Sequence, residues 1–218
     1  MSNDVEKKQY MWQRRVMGIM ILLLAPLSVL FGLIGINTNP EGWWYSISDT
    51  YYANSIMIMA GIITISAFFF CTYGGYDWKD RVVNLMAGIG LFGLLFFPCA
   101  NEGMEEAGQL VGLFNLPANV SGYIHNACAI MAFASFFINE VFIFTLSNGE
   151  KTKEKARRNI IYRCCGSCII ITFILIVLNS FEVPMPKNVI WIAELIGLEP
   201  CGIAWLIKGE ALTFLNDK

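Results

Sequence analysis

Six apolar runs alternate with short charged segments along almost the whole chain. Each run is close to the ~20 residues that an α-helix needs to cross the hydrocarbon core of a bilayer. Hydrocarbon offers no partner for a free backbone N–H or C=O group, so each run is predicted to be a helix. The predicted spans cover residues 16–36, 50–73, 82–100, 121–146, 164–181 and 187–207. Residues 1–218 are therefore expected to form a single domain, an all-α polytopic membrane helix bundle.

The charge content agrees with this class of protein. Only 15% of the 218 residues are charged, whereas soluble domains carry about 25%. The formal net charge is −2, and the basic residues form bands beside the apolar runs rather than one basic surface. This pattern excludes an ordinary soluble protein and predicts no nucleic-acid partner.

The basic residues also predict the orientation of the spans. With six spans, fourteen of the fifteen Lys and Arg residues lie on one side of the membrane, and only Lys187 lies on the other. Cytoplasmic loops retain positive charge, so both termini are predicted to lie in the cytoplasm. The segment before the fifth span is the most basic one, and each of its charges contributes about 1 kcal/mol if it meets anionic lipid head groups. These predicted head-group contacts are Lys151, Lys153, Lys155, Arg157, Arg158 and Arg163. Simple anchoring of the topology is the alternative role.

Ionisable residues within or beside a span are costly and mark candidate functional sites. Asp49, His125 and Glu194 fall at a similar depth near the outer side, and Glu199 falls near the bilayer midplane. These four residues are the ligand-binding candidates. The alternatives are that Ser48 or Asp49 caps the second span and that His125 serves a contact between helices.

Two further features concern the helices themselves. Glu140 lies near the inner end of the fourth span and is expected to reach the interface or to pair with a Lys or Arg. Pro26 and Pro200 lie inside the first and sixth spans, where each removes a backbone hydrogen bond and predicts a kink. Kinked spans that carry polar groups often line cavities.

Five segments resemble a family of small bacterial six-helix integral membrane proteins whose function is unknown. They are SISDTYY, YGGYDWKDRVVNLMAG, GYIHNACA, ARRNIIYRCCG and WIAELIGLEPCGIAWLIKGE. The resemblance implies a multi-pass helical bundle in the bacterial inner membrane and implies no activity. A looser similarity is to the CREST membrane hydrolases, whose zinc site is rich in histidine. This chain has a single histidine, His125, and so departs from that ligand set.

Three hypotheses for the function follow. The first is binding or transport of a small molecule or lipid head group in an outward-facing acidic cavity. The second is a metal-dependent intramembrane lipid hydrolase, with Asp49, His125 and Glu194 as weak candidate ligands. The third is a structural or regulatory subunit that acts in an oligomer or with a partner protein. A non-enzymatic role is favoured, no cofactor is predicted, and membrane lipids are the expected surroundings.

Overall fold

The structure is a computed structural model that describes residues 2–33, 45–75, 77–101, 103–147, 149 and 152–217. The described residues form helices α1 (Ser2–Leu33), α2 (Ile56–Thr72), α3 (Trp78–Phe96), α4 (Ala118–Ile138), α5 (Lys153–Ser180) and α6 (Val189–Lys208). Helix α4 continues into a π-helical turn, Asn139–Ile143, and two 3₁₀ turns cover Ser48–Tyr52 and Thr213–Leu215. A short antiparallel pair, β1 (Leu110–Val111) and β2 (Leu116–Pro117), joins α3 to α4. The all-α prediction is confirmed.

The prediction of helices that could cross a membrane is confirmed for four segments, and the count of six spans stays a prediction. Among the described residues, four helical segments are long and apolar enough to cross a bilayer: Asp4–Gly32, Ala118–Ile143, Lys153–Ser180 and Val189–Lys208. Helix α2 is apolar but shorter. Helix α3 has 19 residues and carries the charged side chains of Lys79, Asp80 and Arg81 in its first turn.

The helices begin and end at different residues from the predicted spans. Helices α1 and α5 start at Ser2 and Lys153, more than ten residues before the apolar runs, because polar residues can extend a helix beyond the bilayer. The Thr152 side chain caps α5 by accepting a 3.0 Å hydrogen bond from the Lys155 amide. In contrast, residues 50–55 are not α-helical, and α2 begins only at Ile56. The predicted span end at 34–36 lies outside the described residues.

The six helices form a ring that largely follows chain order. Each of α1, α2 and α3 packs against the next helix, α5 packs against α6, and α6 closes the ring by packing against α1. The contact between α4 and α5 is the smallest in the ring. Phe70, Phe144, Tyr162 and Trp205 are fully buried in the core. The cavity described below is lined by side chains from five of these helices.

Glycine permits the close approach of α1 and α6. A Cβ atom added to Gly18 would lie 2.7 Å from the carbonyl oxygen of Gly202 and 2.9 Å from the amide nitrogen of Leu206. Both distances are to backbone, which cannot rotate away. Small residues allow this kind of backbone contact between membrane helices, so any larger residue at position 18 must push the two helices apart.

Basic residues from distant parts of the chain meet at one end of the bundle. The Arg14 guanidinium donates a hydrogen bond to the Tyr73 hydroxyl at 2.9 Å, and Arg15 donates to the carbonyl oxygen of Gly209 at 2.7 Å. Arg158 forms an ion pair with Asp217 at 2.6 Å. We call this the basic end of the bundle. It joins the first half of α1, the end of α2, the start of α5 and the segment after α6.

Candidate functional site

A cavity inside the ring has a polar end and an apolar body. The volume that the centre of a water molecule can occupy in it is about 60 Å³, which is enough for a few waters. Its polar end is formed by Ser48, His125 and Glu194. The body is lined by side chains of five helices, which include Leu24, Met59, Ile63, Leu91, Leu94, Phe133, Phe136 and Leu198. The cavity is therefore amphipathic, with His125 and Glu194 together at one end.

The polar end depends on the segment that precedes α2. The Asp49 carboxylate accepts a 2.8 Å hydrogen bond from the Ser46 amide, and the Asp49 amide donates to the Ser46 hydroxyl at 3.1 Å. These reciprocal bonds hold a tight turn across residues 46–49. The turn places the Ser48 side chain at the cavity and the Ile47 amide against α6.

His125 is fixed by hydrogen bonds at both ring nitrogens. Nδ1 lies 2.9 Å from the carbonyl oxygen of Phe97, which can only accept, so Nδ1 carries a hydrogen. In the neutral ring Nε2 is then the acceptor, and the Ser48 hydroxyl donates to it at 3.0 Å. The histidine thus connects the end of α3 to the turn before α2, and both of its ring nitrogens have a partner.

Glu194 enters the same cluster from α6. Its carboxyl group accepts a 2.5 Å hydrogen bond from the Ile47 amide and also hydrogen-bonds the Ser48 hydroxyl. Within the described residues, no Lys or Arg forms an ion pair with it. The polar end therefore contains a carboxyl group that lies beside the Ile47 amide and the Ser48 hydroxyl, with no cation among the described residues.

Two of the four predicted ligand-binding residues line the cavity, and the other two do not. His125 and Glu194 line the cavity together; the sequence placed them at a similar depth but did not show whether they meet. Asp49 is half-buried beside them but faces Ser46 and the Cys99 thiol, whose sulfur is 3.6 Å away. Burial raises the pKa of Asp49. Glu199 is half-buried on α6 and does not line the cavity. Asp49 therefore supports the turn, while Glu199 lies elsewhere.

The candidate metal ligands do not form a metal centre. Within the described residues, no group of three or more His, Cys, Asp or Glu side chains could hold a metal ion. His125 uses both nitrogens for hydrogen bonds to Phe97 and Ser48. A metal at Nε2 would first have to displace the Ser48 hydroxyl.

The predicted lipid-contacting residues divide into two groups. Lys153, Arg157 and Arg163 are exposed on α5. Lys155 instead donates a 2.9 Å hydrogen bond to the carbonyl oxygen of Phe144, and Arg158 bonds the C-terminal segment. Lys151 lies outside the described residues. The exposed group can meet lipid head groups, whereas the other two side chains hold the protein together.

Two residues gain roles that the sequence did not predict. Ser48 was considered as a helix cap, yet its hydroxyl links His125 to Glu194. Glu140 was expected at the interface or in an ion pair, and this was wrong, because its side chain is fully buried with no ion-pair partner among the described residues. The sequence indicated only that Ser48 or Asp49 could cap a helix, and helical periodicity gave no sign of the π-helical turn.

No family model, curated protein or solved structure matches the chain. The site must therefore be interpreted from its own geometry.

Proposed function

We propose that this protein binds a small amphiphilic molecule in its central cavity. The polar end of that molecule donates hydrogen bonds, as an amine does. The observation that carries the proposal is the cavity itself. It joins the Glu194 carboxyl group, which lies beside Ser48 and His125 at one end, to a body of aliphatic and aromatic side chains. A ligand with one polar end and a short apolar body is complementary to both parts.

The chemistry of the polar end favours a donor, and an ammonium group most of all. The Glu194 carboxyl can accept further hydrogen bonds, whereas the single lone pair of His125 Nε2 already accepts from the Ser48 hydroxyl. A carboxylate removed from water is stabilised by a cation that also hydrogen-bonds it, and no side chain of the described residues supplies one. An amine in the cavity would supply that charge and those donors.

The size of the cavity limits the ligand. About 60 Å³ of space accommodates only a few water-sized groups. A short alkyl amine therefore fits better than a whole phospholipid. The aromatic rings of Phe133 and Phe136 lie along the apolar body, where they would contact the alkyl part.

We further propose that all six helices cross the bacterial inner membrane, with both termini in the cytoplasm. The basic end of the bundle supports this orientation, because it gathers Arg14, Arg15, Lys208 and Arg158 on one side. The polar end of the cavity would then face outwards. Membership of the family that the sequence resembles remains part of this proposal.

Transport would follow if the cavity also opened inwards. Helices α1 and α6 pack against each other and each contains a proline, Pro26 and Pro200. A proline inside a membrane helix leaves a carbonyl without its usual donor, which lowers the cost of bending there. Both prolines lie on helices that contribute to the cavity lining through Leu24 and Leu198.

Thermal unfolding of the purified protein tests the binding proposal. Short alkyl amines of about four to six carbon atoms should raise the unfolding temperature, while alcohols and carboxylic acids of the same length should raise it less. Glu194→Gln should remove the preference for the amine, and Glu199→Gln should retain it. Equal stabilisation by all three ligand classes, or by the amine in both variants, would show that Glu194 does not recognise the ligand.

One observation favours a second candidate function, the hydrolysis of an ester without a metal. In serine hydrolases, the nucleophilic serine is hydrogen-bonded to a base, and a third group orients that base. Ser48, His125 and the Phe97 carbonyl have this arrangement, with 3.0 Å between Oγ and Nε2. Oγ would bond to the acyl carbon while His125 carried its proton to the departing alkoxide, and water would then release the acid.

A fluorophosphonate probe distinguishes this candidate from binding alone, because it phosphonylates activated serines. Labelling of Ser48 that is lost in Ser48→Ala and strongly reduced in His125→Ala would support a hydrolase. An unlabelled Ser48 in a protein that still binds amines would leave binding as the function.

A further inference from the structure

Glu140 is a buried acid that the proposed ligand site does not use. Its side chain is fully buried, and among the described residues its carboxyl group has only the Cys201 thiol, a weak donor, beside it as a hydrogen-bonding group. It lies within the candidate membrane span Ala118–Ile143. A buried acid with only a thiol beside it costs free energy, so packing alone gives no reason for an acid at this position.

The backbone around Glu140 has an unusual geometry. The residue lies in the π-helical turn Asn139–Ile143, where α4 widens. Single π-helical turns within α-helices occur frequently at functional sites. Helix α5 approaches this turn at Gly166, where an added Cβ atom would lie 3.7 Å from the Cβ atom of Glu140. The turn thus directs the acid towards the neighbouring helices.

The groups that face Glu140 are mostly neutral thiols. Cys165 and Cys168 lie on α5, and the thiol of Cys201 on α6 is the nearest hydrogen-bonding group. On α6, Lys208 lies further along, with its amine 5.1 Å from the centre of the Phe144 ring. On α3, Asp80 is buried one turn before Asn84.

The side-chain amides near Glu140 already have other hydrogen-bond partners. Asn139 and Asn84 hydrogen-bond each other at 3.3 and 3.4 Å. Asn84 also donates to the carbonyl oxygen of Asp80 at 2.7 Å, and Asn139 donates to that of Ser135 at 3.0 Å. These amides hold α3 against α4 and give their donors to each other and to the backbone. An ionised Glu140 would therefore have no strong donor and no cation.

We propose that Glu140 is a proton-binding site within the membrane. In the arrangement seen here the carboxyl group holds a proton, because a lone carboxylate inside the bilayer is costly. Release of the proton would leave a buried charge, so exchange requires water to enter or the turn to shift. Phe136, one turn earlier on α4, lines the ligand cavity. The inference rests on the geometry of Glu140 and does not require the proposed ligand.

Infrared difference spectroscopy on the full-length protein in lipid nanodiscs tests this inference. The spectrum of the wild type minus that of Glu140→Gln should show the C=O band of a protonated carboxyl group at neutral pH. The band should disappear as the pH rises through about 8–9, the range documented for the pKa of fully buried glutamates. Glutamine has nearly the same shape and no charge, so the variant should fold. Glu199→Gln is the matched control and should leave the Glu140 band in place.

Dicyclohexylcarbodiimide supplies a second readout, since it modifies protonated carboxyl groups in membranes. Mass spectrometry should locate an adduct on Glu140, and its rate of formation should fall about tenfold for each pH unit above the midpoint. Absence of the infrared band at neutral pH would overturn the proposal. So would a band and a labelling rate that stay constant across the whole pH range, because the proton would then not exchange.

Discussion

The Glu194 carboxyl group accepts a 2.5 Å hydrogen bond from the backbone amide of Ile47, which lies 147 residues away in the sequence. This bond attaches α6 to the turn that precedes α2. The same turn presents Ser48 to His125 on α4. Three distant parts of the chain therefore assemble the polar end of the cavity, and Glu194 both holds it together and faces the space where a ligand would bind.

The two functions of Glu194 can be separated by substitution. Glu194→Gln retains a carbonyl oxygen that can accept from the Ile47 amide, so it should fold nearly as well as the wild type and lose selectivity for amines. Glu194→Ala leaves that amide unpaired and should destabilise the protein by about 1–3 kcal/mol. Denaturant unfolding of both variants checks the difference. Equal loss of stability in the two would mean that the Ile47 hydrogen bond contributes little.

Gly18 should tolerate no side chain. A methyl group there meets backbone atoms of α6 at 2.7 and 2.9 Å, so Gly18→Ala should cost about 1–3 kcal/mol through overpacking. Gly61 on α2 is the matched control, because nothing lies within 4 Å of its added Cβ atom. Gly61→Ala should be neutral or slightly stabilising, since alanine favours a helix by about 0.5–1 kcal/mol. Thermal unfolding of the two variants side by side gives the comparison, and equal behaviour would contradict the described α1–α6 contact.

The C-terminal segment should loosen at acid pH. The hydrogen bond from Arg158 to Asp217, aided by one from Thr152, holds the pKa of this carboxyl below its usual range. An acid with a lowered pKa in the folded state contributes stability above its unfolded pKa of about 3.9. That contribution disappears as the pH falls through the lower folded value.

Hydrogen exchange of the amides of residues 213–217 measures this release, after correction for the intrinsic pH dependence of exchange. Protection should decrease as the carboxyl is protonated. Asp217→Asn should show the low protection already at neutral pH. A segment equally protected in the wild type and this variant would indicate that other contacts hold it.

The proposed orientation predicts opposite reporter results at the two ends of the bundle. A fluorescent protein fused after the C-terminal residue should fold and fluoresce, because that terminus is expected in the cytoplasm. Alkaline phosphatase inserted at Gly108, between α3 and α4, should be active because that connection is expected outside. Active phosphatase at the C-terminus would reverse the orientation and place the polar end of the cavity inside.

The sequence predicted the helices far better than the contacts between them. Hydrophobic runs and charge bands depend on local composition, and they correctly indicated the six helices of the described residues. They could not show that Asp49 turns towards Ser46, because that turn is held by two local hydrogen bonds. They also missed the burial of Glu140, since a regular 3.6-residue period does not describe a π-helical turn.

Calorimetric titration of a short alkyl amine into the protein in nanodiscs tests the central claim most directly, with two variants of α4. Ala129 lines the cavity, whereas Ala127 is exposed on the same helix. Ala129→Leu should fill the space and abolish binding, while the wild type and Ala127→Leu should bind with the same affinity. Amine binding that survives Ala129→Leu unchanged, or a wild type that binds no amine, would contradict the assignment of this cavity as the ligand site.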